Sequence, residues 1–243
     1  MKILIIRHGD PDYSIDSLTP TGWKEAKLLA DKLVKMNIDA FYVSPLGRAK
    51  DTASYTLKAY EKEAVEYDWL REFPAQIWRP DIANHKMIAW DWLPEDWTAE
   101  PRFFDRTEWK NVPCMQEGQV GPMYDAICEQ FDALLAKHGY ERDGLMYRAV
   151  SPNEDTIAFF CHFGLGSVLL SHLMNVSPMV LWHGFCAAPS SVSSLISEER
   201  REGKAYFRAQ VLGDVSHLYA AGEEPSFAAR FCECFANKEE RHD

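Results

Sequence analysis

A chain of 243 residues, 47% hydrophobic and 26% charged, is long enough to bury a sizeable core and falls outside the compositions of disordered and membrane proteins. Its formal net charge of −11 argues against a nucleic-acid partner, and no apolar run approaches the length of a membrane-spanning helix, so no membrane partner is expected either. The six cysteines are scattered without metal-site spacing, and the N-terminus lacks the pattern of a secretory leader, so a cytoplasmic protein with free thiols is expected.

Taken in chain order, Lys2 to Ile6 is an aliphatic run without polar alternation. That pattern suits a strand covered on both faces, although period alone also fits a buried helix. The run stops on Arg7-His8-Gly9-Asp10-Pro11, where glycine and proline break the strand. In open α/β sheets ligands bind just beyond the carboxyl ends of strands, which is where Arg7 and His8 then stand. Alone, they equally fit a loop histidine and a surface arginine.

Leu18-Thr19-Pro20-Thr21-Gly22 leads into Ala26, Leu29, Ala30 and Leu33, apolar at helical spacing. Thr19 is suited to cap this helix, and Pro20 to its first position. Phe41 to Val43 reads as a short strand ending at Ser44-Pro45-Leu46-Gly47-Arg48, and the next helix carries Ala49, Ala53, Leu57 and Tyr60 on its inner side. Arg48 therefore falls in the first helical turn after a strand, where free amides and the helix dipole favour anions. A guanidinium fork there matches phosphate oxygens.

After a strand-like Ala64 to Tyr67 and the segment Trp69 to Pro74, the character changes over residues 75–117. Five of the eight tryptophans (Trp78, Trp90, Trp92, Trp97, Trp109) fall in this stretch, without sustained periodicity. Ile88 to Trp92 fits a short helix, and the whole reads as an insertion that folds over something as a lid or binding loop. The tryptophans are read chiefly as packing anchors, with one of them able to line a pocket. Arg79, His85, Lys86, Arg102, Arg106 and Lys110 read as an exposed charged lid, or as contacts for further anionic groups.

Regular structure returns with a long helix through Val120, Met123, Ile127, Phe131, Leu134 and Leu135, stopping near Gly139. A polar stretch from Tyr140 to Asp155 precedes a second buried strand, Thr156 to Cys161, which ends on His162-Phe163-Gly164. Leu165, Val168, Leu169 and Leu173 make a helix. Ser190 to Ser197 and Lys204 to Leu212 make a hairpin around the charged turn Glu198 to Gly203. A last short helix is expected over Phe227 to Phe235.

Two buried strands thus end on histidines followed at once, or one residue later, by glycine, and a third presents Arg48. If those strands are neighbours, two imidazoles and two guanidinium groups converge at one mouth. Phosphoryl transfer uses such a set: an in-line nucleophile, with positive charge around the equatorial oxygens. Imidazole is able to form a covalent phosphoryl intermediate. Glycine beside each histidine would let backbone amides approach the oxygens.

Arg7-His8-Gly9 after an N-terminal strand, Leu18-Thr19-Pro20-Thr21-Gly22, Ser44 to Ala53 around Arg48, His162 before a helix and Gly213 to Leu218 near the end, in this order, resemble the histidine phosphatase superfamily. The resemblance implies an α/β fold of phosphoglycerate-mutase type, a three-layer α/β/α sandwich with a mostly parallel central sheet. One domain over residues 1–243 is expected, with the tryptophan-rich insertion at about 75–117, which lies outside the resemblance, as a cap. By resemblance, His8 is the phosphate-accepting nucleophile, Arg7, Arg48 and His162 clamp the phosphoryl group, and Glu72 is the proton donor of the mutase-like branch. Glu66, Asp68 and Asp10 are nearby acids that a shifted alignment would put in its place, and a salt bridge of Glu72 to Arg71 or Arg79 is the plain structural alternative.

Asp10-Pro11 and Phe163 depart from the family pattern. Asp10, Phe163 and Gly164 are accordingly candidate substrate contacts, with Phe163 closing one side of the pocket. His85, His172, His183 and His217 show no metal spacing, and neither a metal nor another cofactor is called for. The activity implied is hydrolysis of a small phosphomonoester. The rivals are a phosphoglycerate-mutase-type transfer and a catalytically weak module that binds phosphorylated ligands. The natural substrate and the oligomeric state are not specified by the sequence.

Overall fold

The computed structural model describes residues 1–82, 84–226 and 234–240. The aliphatic run forms β1 (Lys2–Arg7), and the loop after it is a tight hairpin of β2 (Pro11–Asp12) and β3 (Ser17–Leu18). Helix α1 (Pro20–Leu33) is capped as expected: the Thr19 hydroxyl accepts the Gly22 amide at 3.1 Å, with Pro20 in the first turn. Then come β4 (Ala40–Val43), α2 (Gly47–Tyr60) and β5 (Val65–Glu66). The insertion holds the ladder of β6 (Gln76–Ile77) with β7 (Met87–Ile88), and the short helices α3 (Pro94–Thr98) and α4 (Pro113–Glu117). The second half runs through α5 (Val120–Lys137), β8 (Tyr140–Asp143), β9 (Met146–Ala149) and β10 (Thr156–Cys161). It continues with α6 (Phe163–Met174), α7 (Pro178–Gly184), β11 (Val192–Arg201), β12 (Lys204–Asp214) and α8 (Ser216–Tyr219).

The main sheet has eight strands in the order β5-β4-β10-β1-β11-β12-β9-β8. The first four pair in parallel and the other pairings are antiparallel, so β5, β4, β10, β1, β12 and β8 share one direction while β11 and β9 oppose it. Side-chain alternation along the strands divides the core. Leu4, Ile6, Phe41, Val43, Ala158 and Phe160 face Leu29, Leu33, Ala49 and Ala53 of α1 and α2. Ile3, Ile5, Ile157 and Phe159 face the other way, toward Phe131, Leu165, Leu169 and Trp182 of α5, α6 and α7. This is the three-layer α/β/α arrangement.

The insertion is packed into that second layer. Ile77, Trp92, Phe103, Trp109, Val112 and Met115 are buried in the same cluster as α5 and α6. The indole of Trp109 is fully buried, edge-on to Tyr124 at 5.2 Å and to Trp182 at 6.2 Å. The helix expected over Ile88 to Trp92 is not formed: Met87 and Ile88 pair with Ile77 and Gln76, and Asp91 sits at φ +72, which a right-handed helix cannot contain.

The stretch read as a polar connection is the β8–β9 hairpin, turning at Gly144 (φ +59). The expected hairpin near the C-terminus forms as β11 and β12, longer than the sequence suggested. The terminal helix expected over Phe227 to Phe235 falls largely on residues outside those described, as does Cys232. Among the described residues no helix is long and apolar enough to cross a membrane.

Candidate active site

Parallel pairing of β1 with β10 sets Arg7 opposite Cys161, so the next residues, His8 and His162, emerge side by side. Their ring centroids are 5.1 Å apart at 58°, and they are only 2% and 1% exposed. The His8 amide donates to the Cys161 carbonyl at 3.0 Å, which fixes the offset. On the far side of β10, β4 delivers Ser44, whose hydroxyl lies 2.8 Å from His162 Nε2. The three strand ends singled out in the sequence are therefore adjacent.

The His8 Nδ1 lies 2.8 Å from the Gly9 carbonyl oxygen. A carbonyl only accepts, so Nδ1 carries the proton and Nε2 keeps its lone pair. Burial, then the charge of Arg7, and behind these Arg48, lower the His8 pKa to about 3 against the pull of that carbonyl. The imidazole is neutral, and nucleophilic at Nε2, throughout the physiological range. Burial, with the charges of His8, Arg48 and Arg7, likewise depresses His162. Arg7 Nε, Arg48 Nε and His162 Nδ1 are buried without a protein partner. Buried polar atoms are ordinarily paired, so three such nitrogens on residues around one imidazole leave donors that an oxyanion would satisfy.

Both guanidinium groups are held from behind. Arg7 Nη1 donates to the Ala187 carbonyl at 2.6 Å, and its guanidinium carbon lies 5.7 Å from the Phe163 ring centroid. Arg48 Nη1 donates to Asp16 Oδ1 at 2.6 Å, and its face lies 5.3 Å from the Tyr13 ring.

Glu72 is placed against the start of α6. Its carboxylate oxygens accept the amides of Phe73 at 2.8 Å, Leu165 at 2.9 Å and Gly164 at 3.2 Å. Burial nonetheless pushes its pKa up, against these amides and the charge of Arg7. A carboxyl whose hold on its proton is strengthened, at the start of the helix that follows His162, is suited to acid–base work. The competing acids are engaged elsewhere: Glu66 with Lys50 at 2.6 Å, and Asp68 with Arg71 at 2.6 Å. Arg79 pairs with Asp81, leaving Glu72 outside that ion pair.

The other sequence candidates are placed differently from expectation. The Asp10 amide donates to Glu25 Oε2 at 2.7 Å, and Asp10 Oδ2 accepts the Thr19 hydroxyl at 2.6 Å, so both groups work within the loop. The glycine amides expected to approach phosphate are also taken, Gly9 by the Thr52 hydroxyl at 2.9 Å and Gly164 by Glu72. These glycines are required for close packing instead. A Cβ at Gly9 would meet the Gly22 carbonyl at 2.9 Å, and one at Gly164 would meet Trp90 Nε1 at 2.6 Å and Glu72 Oε1 at 2.7 Å. Phe163 packs its ring beside the Arg7 guanidinium.

Sequence reading missed Asp16, Glu25, Ser44 and Thr52. Only Glu25 gave a signal, as a charged residue within the buried stripe Gly22, Ala26, Leu29, Leu33 of α1. Among the described residues no group of three or more histidine, cysteine or acidic side chains is arranged to hold a metal.

A sequence model described as the histidine phosphatase superfamily (branch 1) matches residues 3–208. Among curated proteins, phosphoserine phosphatase 1 of Hydrogenobacter thermophilus is 29% identical over 113 residues, covering 42% of this chain and 52% of that protein. A probable phosphatase of Schizosaccharomyces pombe is 34% identical over 82 residues, covering 30% of this chain and 39% of its own. The chain thus spans about half the length, or less, of these relatives. Among solved structures, a phosphoserine phosphatase from Entamoeba histolytica in complex with 3-phosphoglyceric acid has a TM-score of 0.59 at 18% identity, over 89% of this chain and 98% of that one. A mycobacterial glucosyl-3-phosphoglycerate phosphatase gives 0.55 at 18%, over 87% and 98%. At such identities these likenesses establish the fold alone.

Proposed function

The chain belongs to the histidine phosphatase superfamily, and from that premise we propose that it is a metal-independent phosphomonoesterase working through a phosphohistidine at His8. The observation that carries this reading is the neutral His8 ring, Nε2 free, amid the partnerless nitrogens of Arg7, Arg48 and His162.

His8 Nε2 attacks phosphorus in line, the bond from phosphorus to the ester oxygen breaks, and the N–P bond forms. Glu72 gives its proton to the departing alkoxide. The carboxylate left behind then takes a proton from water, whose oxygen attacks phosphorus; the new P–O bond forms as the N–P bond breaks, its electron pair returning to His8 Nε2, and phosphate is released. Arg7, Arg48 and His162 bind the phosphoryl oxygens through both steps, stabilising the charge that spreads over them. The names of the relatives, phosphoserine and glucosyl-3-phosphoglycerate phosphatases among them, support small phosphorylated substrates of this kind.

The test is acid-free trapping of the phosphoenzyme and intact-mass measurement after brief exposure to p-nitrophenyl phosphate. One added phosphoryl group is expected on wild type and none on His8→Ala, which also loses turnover across a panel of phosphate esters. Turnover retained by His8→Ala would overturn the assignment. Transfer between hydroxyls of one acceptor without release of phosphate would favour the mutase chemistry.

A further inference from the structure

Beyond the phosphate end, the walls of the site are aromatic. Trp90, from the insertion, meets the Phe163 ring edge-on at 5.6 Å, and Phe185, from the loop after α7, approaches it at 6.3 Å. Tyr13, 69% exposed at the tip of the β2–β3 hairpin, covers the guanidinium of Arg48. Trp90 differs from the buried anchor Trp109. It is half-buried, and its indole nitrogen shares the space over Gly164 with Glu72 Oε1. Its position is built in: Arg79 Nη1 reaches the carbonyls of Trp90 and Asp91, Asp91 is left-handed at φ +72, and the Trp90 indole donates to the Phe73 carbonyl at 3.3 Å.

The charges around these rings point the same way. Arg7 and Arg48 are the guanidinium groups beside the histidines, and both are needed for a phosphoryl group. Arg79 is paired with Asp81 within the insertion, and Arg71, whose charge is felt at His162, is paired with Asp68. The loop and hairpin that follow His8 carry Asp10, Asp12 and Asp16. A second acid group on the substrate would find no uncommitted guanidinium among these residues, whereas an aromatic ring would find edges and faces to pack on.

We propose that the site selects phosphomonoesters whose alcohol portion presents a flat aromatic ring and carries no second acid group, with Trp90, Phe163 and Phe185 determining that choice. This rests on the phosphatase reading above. Such a class differs from the phosphoserine and glucosyl-3-phosphoglycerate in the names of two relatives whose fold the chain shares.

Three esters of primary alcohols test it: 2-phenylethyl phosphate, n-propyl phosphate and 3-phosphooxypropanoate. Their leaving groups are similar, so differences in kcat/KM report recognition of the organic part rather than the intrinsic ease of cleavage. Wild type is expected to favour phenylethyl over propyl by at least about tenfold, and propyl over the carboxylate-bearing ester by a similar factor. In Trp90→Leu and Phe163→Leu the ratio of phenylethyl to propyl should fall at least threefold. A ratio measured on one preparation cancels any loss of folded protein. Equal rates on phenylethyl and propyl phosphate, preference for the carboxylate ester, or a ratio unmoved in both variants would overturn the proposal while leaving phosphatase activity intact. Absence of turnover on all three and on p-nitrophenyl phosphate would overturn the phosphatase reading, and this proposal with it.

Discussion

Two helices begin beside the paired histidines, and each receives on its first amides a carboxylate from a distant part of the chain. On α2, Asp16 Oδ2 accepts the Gly47 amide at 2.7 Å while Oδ1 holds Arg48 at 2.6 Å. On α6, Glu72 accepts the amides of Leu165 and Gly164. Negative charge at a helix N-terminus is what the dipole favours. Asp16 obeys: burial raises its pKa, but the Gly47 amide and Arg48 outweigh burial and hold the carboxyl below its ordinary value. Glu72 has more amide partners and still moves the other way, because burial dominates and Arg7 acts on it only from a distance. The same contact accompanies a weakened hold on the proton in Asp16 and a strengthened one in Glu72. Only the second is suited to be a general acid.

Glu72→Gln tests that distinction hardest. With the proposed acid gone, kcat/KM for an alkyl phosphate is expected to fall by roughly 10²- to 10⁴-fold, and for p-nitrophenyl phosphate far less, since that leaving group needs no proton. Stability should move in the opposite sense. A raised folded-state pKa means that the native protein holds the proton more tightly than the unfolded chain does. The stability so contributed is complete below the unfolded pKa and is lost as pH rises through the folded one. Glutamine does not ionise, so the variant should be more resistant to denaturant than wild type at pH 8, the difference closing toward pH 4. Equal rate losses on the two esters would remove Glu72 from the proton-donor role.

Glu25 sharpens the contrast as an intermediate case. This α1 side chain is 3% exposed and accepts the Asp10 amide directly below the loop that follows His8. Burial lifts its pKa from 4.5 to about 7, opposed by the Asp10 and Ser226 amides and by Arg7, while the charge of Asp10 adds to the rise. A shift of that size corresponds to about 3 kcal/mol. Wild type should therefore lose on the order of 3 kcal/mol relative to Glu25→Gln between about pH 4.5 and pH 8, read from urea midpoints across pH. Glutamine retains an acceptor for the Asp10 amide, so the loop is preserved. Parallel curves for the two proteins would show that this carboxyl ionises as freely folded as unfolded.

The parts of the molecule that could be read from the chain are those in which a local pattern has one solution. Lys2 to Ile6 and Thr156 to Cys161 are unbroken apolar runs because both faces of β1 and β10 are covered, and α1 repeats at three and four because one side is, whereas α6 is buried on nearly every side. His8, Arg48 and His162 were legible as strand-end residues, and their adjacency followed once β10 was found between β4 and β1. The insertion was legible only in composition, because helices of four or five residues end before a period is established. Tyr147 and Ala149 alternate only once, too briefly to announce β9. Gly9 and Gly164 were the right residues for the wrong reason: backbone and side-chain crowding requires them, while their amides face other partners. Asp16 carried no signal at all, since its role depends on which helix its loop reaches in three dimensions.

Asp16→Asn is the mildest intervention and the one that asks whether the α2 carboxylate matters to function. Asparagine tolerates the left-handed backbone at this position (φ +48) and keeps an acceptor for the Gly47 amide, so the helix start survives while the charge behind Arg48 is lost. Because Asp16 is 44% exposed, water screens the pair and the effect should be modest. KM is expected to rise roughly threefold, about 0.7 kcal/mol, with kcat changed less. Asp16→Ala should add a stability loss of about 1 kcal/mol by removing the cap. If Asp16 works by aiming Arg48, Asp16→Asn should have no further effect on kcat/KM in an Arg48→Gln background, whereas a purely structural role would make the two losses additive. A fall in KM for Asp16→Asn would mean instead that this carboxylate competes with substrate phosphate for Arg48, so that the charged helix start is a gate rather than a support.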